Sequence, residues 1–456
     1  MRFLLTVHQF FPQFSAGTEV LTYSVARELM RRGHEVSVFT GHPSSPELAD
    51  DERFDEYEFD GIHVYRFHHA YAAMGGQSSV IEIGYDNHLA AKHFADILTT
   101  YKPDVVHFFH LNRLGTGLIE CTNQRGVPAF LTPTDFWAVC QTGQLLLGEQ
   151  DLCSGPSARA GNCLKHLAQL QPQGVIGLCA RLLPTRLVDQ LVTLTVKGIL
   201  PVYPKCTEVV ALSNRLSVNI SRLNRLNKII APNNFMRDFL IQHGIKSELI
   251  SVAPFGIDVT KSESVKLRVQ HLGPLRVAFI GTLAPHKGCH ILLDAFKKLP
   301  AGCAVLMIYG QMDDFPSYVH KLKHLATGQH QIEFCGTFLN SEIAHVFEDI
   351  DVLVVPSTWY ENSPLVVYSA QAARCPVVAS NLPGLIEAVH ADENGLLFEV
   401  GNACDLARQL LRLITEDGLL QNLSNRSIRP KSVQRYVDEL LDVWQTSTPA
   451  SYLVRG

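Results

Sequence analysis

Three short stretches of this chain carry side chains whose types and spacing suit a phosphorylated ligand. In "YENSPLVVYSAQAARCPVVAS", residues 360–380, Glu361 stands just ahead of Ser363 and Pro364. A serine hydroxyl caps a helix and a proline at the first helical position loses no hydrogen bond, so this pair predicts a helix starting at Pro364. The early amides of that helix, at Leu365 and Val366, lie at the positive end of its dipole, where a diphosphate binds well. A carboxylate touching phosphate would repel it. Glu361 is therefore expected to accept hydrogen bonds from hydroxyls on what the phosphate carries, which points to a sugar phosphate. The second stretch, "GTLAPHKGCHILLDAF", sets Lys287 and Gly288 at a helix start, where an ammonium neutralises a diphosphate as a point charge. The third, "FPQFSAGTEV", makes a small-residue turn at Ala16 and Gly17 that lets backbone approach a ligand closely. Alone, each has a plain reading: an acid complementing a helix dipole, or an ordinary strand-to-helix turn. Three around one expected cleft argue together for a ligand site.

Other features weigh less. Cys140, Cys153, Cys163 and His166 include one ligand-like spacing, but their gaps match no standard zinc finger, and no metal is expected. Asp313 and Asp314 read as solvated turn residues. Residues 174–203 are apolar, with Arg181, Arg186 and Lys197 as the only positive charges; they suit either a membrane interface or helices packed on the first domain. The net charge of −5 argues against binding nucleic acid, which needs a concentrated basic surface. The apolar run at the N-terminus is too short for a signal-peptide core. Eleven cysteines, an odd number, suit reduced thiols in a cytoplasm better than a disulfide framework.

These residues must be positioned by larger elements. At 456 residues the chain exceeds what one core usually serves. Phe3 to Val7 reads as a buried strand, Thr18 to Arg32 as a helix ended by Gly33, and "EVSVFT", "DVVHFF" and "PAFLTP" as further strands of a parallel sheet. The pattern begins again at Leu275 with "LRVAFIG", followed by "CAVLMIYG", "QIEFCG", "DVLVVPS" and "CPVVAS". The expected fold is α/β, with two tandem Rossmann-like doubly wound domains. The expected boundaries are an N-terminal acceptor-side domain at 1–257, a linker at 258–274, a donor-nucleotide domain at 275–430 and a helix in 431–456 crossing back to the first domain. Ligands in such sheets bind beyond the strand C-termini, so the site is expected between the domains.

With the motifs in this order, the chain resembles the retaining, nucleotide-sugar-dependent glycosyltransferases of family 4, which have the GT-B architecture. The resemblance rests on "AGTEVLTYSVARELMRRGHEVSVFT", "PDVVHFFH", "TDFWAVC", "APNNFMRDFL", "FGID", "GTLAPHKG", "PSTWYENSPLVV" and "PGLIEAVHADENGLLF", and covers nearly the whole chain. It implies transfer of a sugar from a nucleoside-diphosphate sugar to a glycan or lipid-linked acceptor with retention, in surface polysaccharide or glycolipid assembly, without a cofactor. The expected location is cytoplasmic, at the inner face of the cytoplasmic membrane if the apolar segment 174–203 is the interfacial one of its two alternatives. Catalytic roles fall on Glu361, Lys287 and Asp135, and an acceptor-side role on Thr134. Donor contacts fall on Ala16, Gly17, Thr282, His286, Thr337, Phe338, Asn362, Ser363, Leu365, Val366 and Ser369. Three positions depart from the family: Ser369 replaces the glutamate that grips the ribose, Thr282 an arginine on the diphosphate, and Thr134 a histidine near the donor sugar. Losing the charged bond at Ser369 costs about 1.5–3 kcal/mol, or roughly ten- to a hundredfold in donor affinity. Two other functions share this pattern: a sugar-nucleotide epimerase and a non-catalytic nucleotide-sugar-binding or partner protein.

Overall fold

A computed structural model describes residues 1–148, 151–170, 182–258 and 267–447. The chain divides into two compact units: unit 1 comprises Met1–Gly148, Cys153–Pro254 and Gln434–Gly456, and unit 2 comprises Glu149–Leu152 and Phe255–Val433.

Unit 1 is built on eight strands, β1 (Arg2–Val7), β2 (Glu35–Pro43), β3 (Phe54–Phe59), β4 (Ile62–His69), β5 (Val105–Phe108), β6 (Ala129–Leu131), β7 (Lys228–Ala231) and β8 (Ile250–Val252), in the order β8-β7-β6-β5-β1-β2-β4-β3. All neighbours run parallel except β3 and β4, which form an antiparallel hairpin. Asp60 and Gly61 turn that hairpin, both with positive φ, as the tight turn matching strand twist requires. The run "FLLTV" in β1 is wholly buried, as expected of a strand covered on both faces. Helix α1 (Gly17–Arg31) follows β1 and buries Leu21, Val25 and Leu29, the stripe at helical spacing.

Further along unit 1, helices α2 (Thr185–Val196) and α3 (Cys206–Leu223) precede β7. The apolar segment 174–203 is described from Leu182 onward; 174–181 lie outside the described residues. No helix among the described residues is long and apolar enough to cross a membrane.

Unit 2 has six parallel strands, β9 (Leu275–Ile280), β10 (Ala304–Tyr309), β11 (Ile332–Gly336), β12 (Val352–Val355), β13 (Val377–Ser380) and β14 (Gly395–Phe398), ordered β11-β10-β9-β12-β13-β14. β9 lies between β10 and β12, so the direction of strand addition reverses at β9 and the connections leaving β9 and β12 diverge there. Such a switch point opens a crevice at the strand C-termini. Helices α4 (Cys289–Phe296) and α5 (Leu365–Ala372) follow those two strands.

Apart from the short stretch Glu149–Leu152, the chain enters unit 2 between Pro254 and Phe255 and leaves it between Val433 and Gln434. Part of the segment expected as a linker, 267–274, is tied to unit 2: Arg268 is buried and donates to the carbonyls of Ile350 (2.7 Å) and Phe347 (2.5 Å). A polar sequence without periodicity can still be anchored by one long guanidinium. From Gln434 on, helix α6 (Val433–Thr446) belongs to unit 1. Trp444 donates to His107 Nδ1 at 3.1 Å and stacks near Phe3, and Arg32 pairs with Asp438 at 2.5 Å.

Candidate functional site

In unit 2, the connections after β9 and β12 hold each other in register. Thr358 donates its amide to the His286 carbonyl at 2.9 Å, and Gly288 takes a left-handed conformation (φ +72°) in which a Cβ would lie 1.8 Å from the Pro356 carbonyl oxygen. Only glycine fits there. Gly384 supports the same loop from behind, with φ +87° and a Cβ position 1.8 Å from the Glu361 carbonyl oxygen.

This framework brings Lys287 to Glu361. Three donors converge on Glu361 Oε1: Lys287 Nζ at 2.6 Å, Ser357 Oγ at 2.6 Å and Trp359 Nε1 at 2.9 Å. The Lys287 ammonium also lies 4.6 Å from the centre of the Trp359 ring. Glu361 is 5% exposed. Burial, the largest influence, works to raise its pKa, but the Lys287 charge and the three hydrogen bonds together hold it below the ordinary carboxylate value. The side chain is an anion with Oε1 saturated, while none of these donors uses Oε2. Trp359 and Ser357 are partners of Glu361 that sequence reasoning missed; their only signal was proximity to Glu361 in "PSTWYE".

The predicted helix start needs correction. Helix α5 begins at Leu365, with Pro364 as an extended N-cap residue and no side-chain cap. Ser363 instead shares its hydroxyl with Tyr368 at 2.8 Å. The first amides, of Leu365 and Val366, still lack intrahelical acceptors. Ser369 donates to the Leu365 carbonyl at 3.1 Å, so its hydroxyl serves the helix backbone. His286 packs 4.8 Å from Trp359; burial, reinforced by the Lys287 charge, pushes it down to about 4. It is neutral at pH 7 and does not stand in for a second cation. Thr282 and Thr337 are exposed, Asn362 is buried, and Phe338 packs edge-on against Tyr309 at 5.5 Å.

The remaining expected site residues belong to unit 1. Ala16 is the N-cap residue of α1 and Gly17 its first residue. Asp135 follows β6; its Oδ2 lies 2.9 Å from His110 Nε2 and its Oδ1 accepts from the Trp137 amide at 2.8 Å. Thr134 donates to the Phe109 carbonyl at 3.2 Å. His110, Pro133, Thr134, Asp135 and Trp137 line one small cavity. The His110 ring lies 4.2 Å from that of His8, whose Nε2 is 3.5 Å from Glu19. Burial raises the Glu19 pKa, opposed by hydrogen bonds from Gln9 and nearby backbone amides, and lowers that of His8, reinforced by the His110 and Arg113 charges. The sequence reading passed over His8, Glu19 and His110; the signal was His8 and His110 just beyond β1 and β5, the strands flanking that sheet's switch point, and Glu19 in the first turn of α1. Cys140, Cys153 and Cys163 are free thiols, and His166 is buried. No group of three or more His, Cys, Asp or Glu placed to hold a metal ion occurs among the described residues.

Residues 16–183 match the glycosyl transferase 4-like domain family and residues 274–416 the glycosyl transferases group 1 family. Each match covers less than half of the chain, one on each of the two large sheets, and the fold is the GT-B architecture. Among curated relatives, an uncharacterised glycosyltransferase of Methanocaldococcus jannaschii is 26% identical over 33% of this chain and 38% of its own length. The D-inositol 3-phosphate glycosyltransferase of Streptomyces bingchenggensis is 29% identical over 44% of this chain and 48% of its own. The amylovoran biosynthesis glycosyltransferase of Erwinia amylovora is 28% identical over 42% and 49%. The chain thus spans less than half the length of these relatives. Among solved structures, HepE of Anabaena in complex with UDP and glucose has a TM-score of 0.62 at 15% identity, covering 97% of this chain and 99% of that one. Sucrose-phosphate synthase of Thermosynechococcus elongatus has 0.65 at 16%, covering 98% of each.

Proposed function

We propose that this chain is a retaining glycosyltransferase that moves a sugar from a nucleoside-diphosphate sugar to a glycan or lipid-linked acceptor, in surface polysaccharide or glycolipid assembly at the inner face of a cytoplasmic membrane. The observation that carries the reading is the Lys287–Glu361 pair at the unit 2 switch point, beside the N-terminus of helix α5, which has no side-chain cap at Pro364. Cation and amides suit a diphosphate, and a buried carboxylate with one oxygen in reserve suits sugar hydroxyls.

In the proposed reaction the bond from the anomeric carbon to the β-phosphate oxygen breaks, and a bond to the acceptor oxygen forms on the same face. The acceptor proton passes to the leaving phosphate. Lys287 and the first amides of α5 stabilise charge growing on the leaving group, an electrostatic contribution fixed before the reaction begins. Glu361 holds the sugar in orientation. Asp135 and Thr134 serve the acceptor side.

A non-catalytic nucleotide-sugar-binding protein is the second reading. It is favoured by the Ser369 hydroxyl being spent on the helix backbone and by a neutral His286, which leave the donor with fewer charged contacts. A thermal-shift panel of UDP-, GDP-, ADP-, TDP- and CMP-sugars, followed by hydrolysis assays on each hit, separates the readings. Stabilisation with release of sugar supports the enzyme; stabilisation without turnover supports the binding protein, and no stabilisation by any nucleotide sugar refutes both.

A further inference from the structure

Helix α2 and the segment after it present a cluster of apolar side chains outward. One face of α2 is satisfied: Val188 and Val192 form a small core with Val209. The other is not. Leu187 and Leu191, one turn apart, are 47% and 46% exposed, and Leu182, Ile199 and Val202 are 77%, 63% and 92% exposed. Adjacent turns on one face place Leu187 and Leu191 side by side.

The charges in this segment are one-sided. Arg186, Lys197 and Lys205 are exposed, whereas the single acid between Leu182 and Thr207, Asp189, faces inward. Its Oδ1 accepts from Ser157 Oγ (2.9 Å), the Arg159 amide (3.1 Å) and the Gly161 amide (2.9 Å). Glu208, next along the chain, accepts from Ser79 Oγ (2.7 Å) and from the amides of Val80 and Ile81. Three bases and one acid give the segment a formal charge of +2, against −5 for the chain. Outward leucines beside cations, with the carboxylates turned inward, complement an apolar layer under a negative surface.

We propose that α2 and residues 197–205 dock this protein on an anionic lipid bilayer, with Leu182, Leu187, Leu191, Ile199 and Val202 entering the acyl boundary and Arg186, Lys197 and Lys205 meeting the headgroups. The proposal rests on the reading that the acceptor is reached at a membrane, and supplies the surface that reaches it. The apolar residues set the depth of insertion, and the cations select the lipid. A second copy of the chain or a protein partner would cover the leucines but would not demand anionic lipid.

The test is flotation of the full chain with vesicles of phosphatidylglycerol and phosphatidylethanolamine, and separately of phosphatidylcholine alone, at low and high salt. The wild type is expected to float with the anionic vesicles and to be released by salt. The double variant L187S/L191S is expected to lose at least tenfold in binding. The triple variant R186Q/K197Q/K205Q should lose roughly fivefold for each cation and most of its salt dependence. Circular dichroism melts and the nucleotide-sugar thermal shift check that each variant folds and keeps its donor response. That shift also separates failure here from failure of the glycosyltransferase reading. Wild type left unbound with anionic vesicles, equal binding to neutral ones, or full binding by a folded leucine variant each overturns the proposal. So does a dimer in sedimentation that the leucine variant abolishes.

Discussion

Replacing Lys287 with methionine keeps the side chain's length and removes its charge. The ammonium lies 2.6 Å from Glu361 Oε1, with the glutamate side chain 7% exposed. At an effective dielectric of about 20, unit charges at about that separation attract by roughly 6 kcal/mol, and desolvation of both groups offsets much of it. What remains after the change is a buried carboxylate supported only by Ser357 and Trp359, and stranding such a charge costs about 3–5 kcal/mol. The cost depends on pH with a definite sign. In the wild type the folded pKa of Glu361 is lowered; its contribution is present above the unfolded value of about 4.5 and is lost as pH falls through the lower folded value. Without Lys287, burial dominates and the folded pKa rises above the unfolded one, so the variant is penalised above about pH 4.5 and the penalty shrinks as pH falls. Urea unfolding, followed by hydrogen exchange in peptides from 275–300, reads the loss in unit 2. A double variant, K287M/E361Q, should recover more than half of it, because glutamine still accepts from Ser357 and Trp359. A loss below about 1 kcal/mol that is equal at pH 7 and pH 4.5 would refute the reasoning, since it would mean the pair is effectively solvated.

Glu361→Ala should abolish transfer from the donor identified by the thermal-shift panel, while Ser369→Ala, which removes one bond within the helix, should change kcat/KM by less than about threefold; comparable losses in the two would show that Ser369 meets the donor. Ser369→Glu should tighten donor binding by roughly ten- to a hundredfold, read as Kd by calorimetry. Gly288→Ala should destabilise unit 2 by at least about 2 kcal/mol in urea, combining a left-handed backbone with a clash against Pro356. Unit 1 should weaken in acid. Burial holds His107 down to about 3 and His69, helped by Arg113 and Arg53, to about 4. Both are neutral when folded, so their contribution is complete above the unfolded value of about 6.5 and falls as pH drops toward those folded values, by about 2 kcal/mol each at pH 5. Urea unfolding of unit 1 that is flat between pH 7.5 and 5 would contradict this.

Much of the fold was legible because burial on both faces writes itself locally. "LLTV" and "VLVV" are apolar without alternation, as strands covered on both sides must be, and Leu21, Val25 and Leu29 keep helical spacing. The hairpin of β3 and β4 also had a signal, Asp60–Gly61, but its strands mix charged, aromatic and histidine side chains and belong to no repeating strand–helix unit. Arg268 left no signal at all, because the carbonyls it meets are contributed by residues 79 and 82 positions away.

For the candidate site, the sequence by itself determined the residue types and their placement just beyond strands: Lys287 and Gly288 after one, Glu361 after another, and a serine at 369. Local chemistry suffices for that, since strand ends, glycines and prolines are read from near neighbours. Only the tertiary structure decided how those groups are used. Lys287 pairs with Glu361 because β9 and β12 are adjacent, and three donors share one oxygen because Gly288 and Gly384 let their loops close in. His286 loses its charge to burial against Trp359, and the Ser369 hydroxyl turns to its own helix. Each outcome depends on distance and solvent exclusion between residues far apart in the chain, which no local pattern encodes.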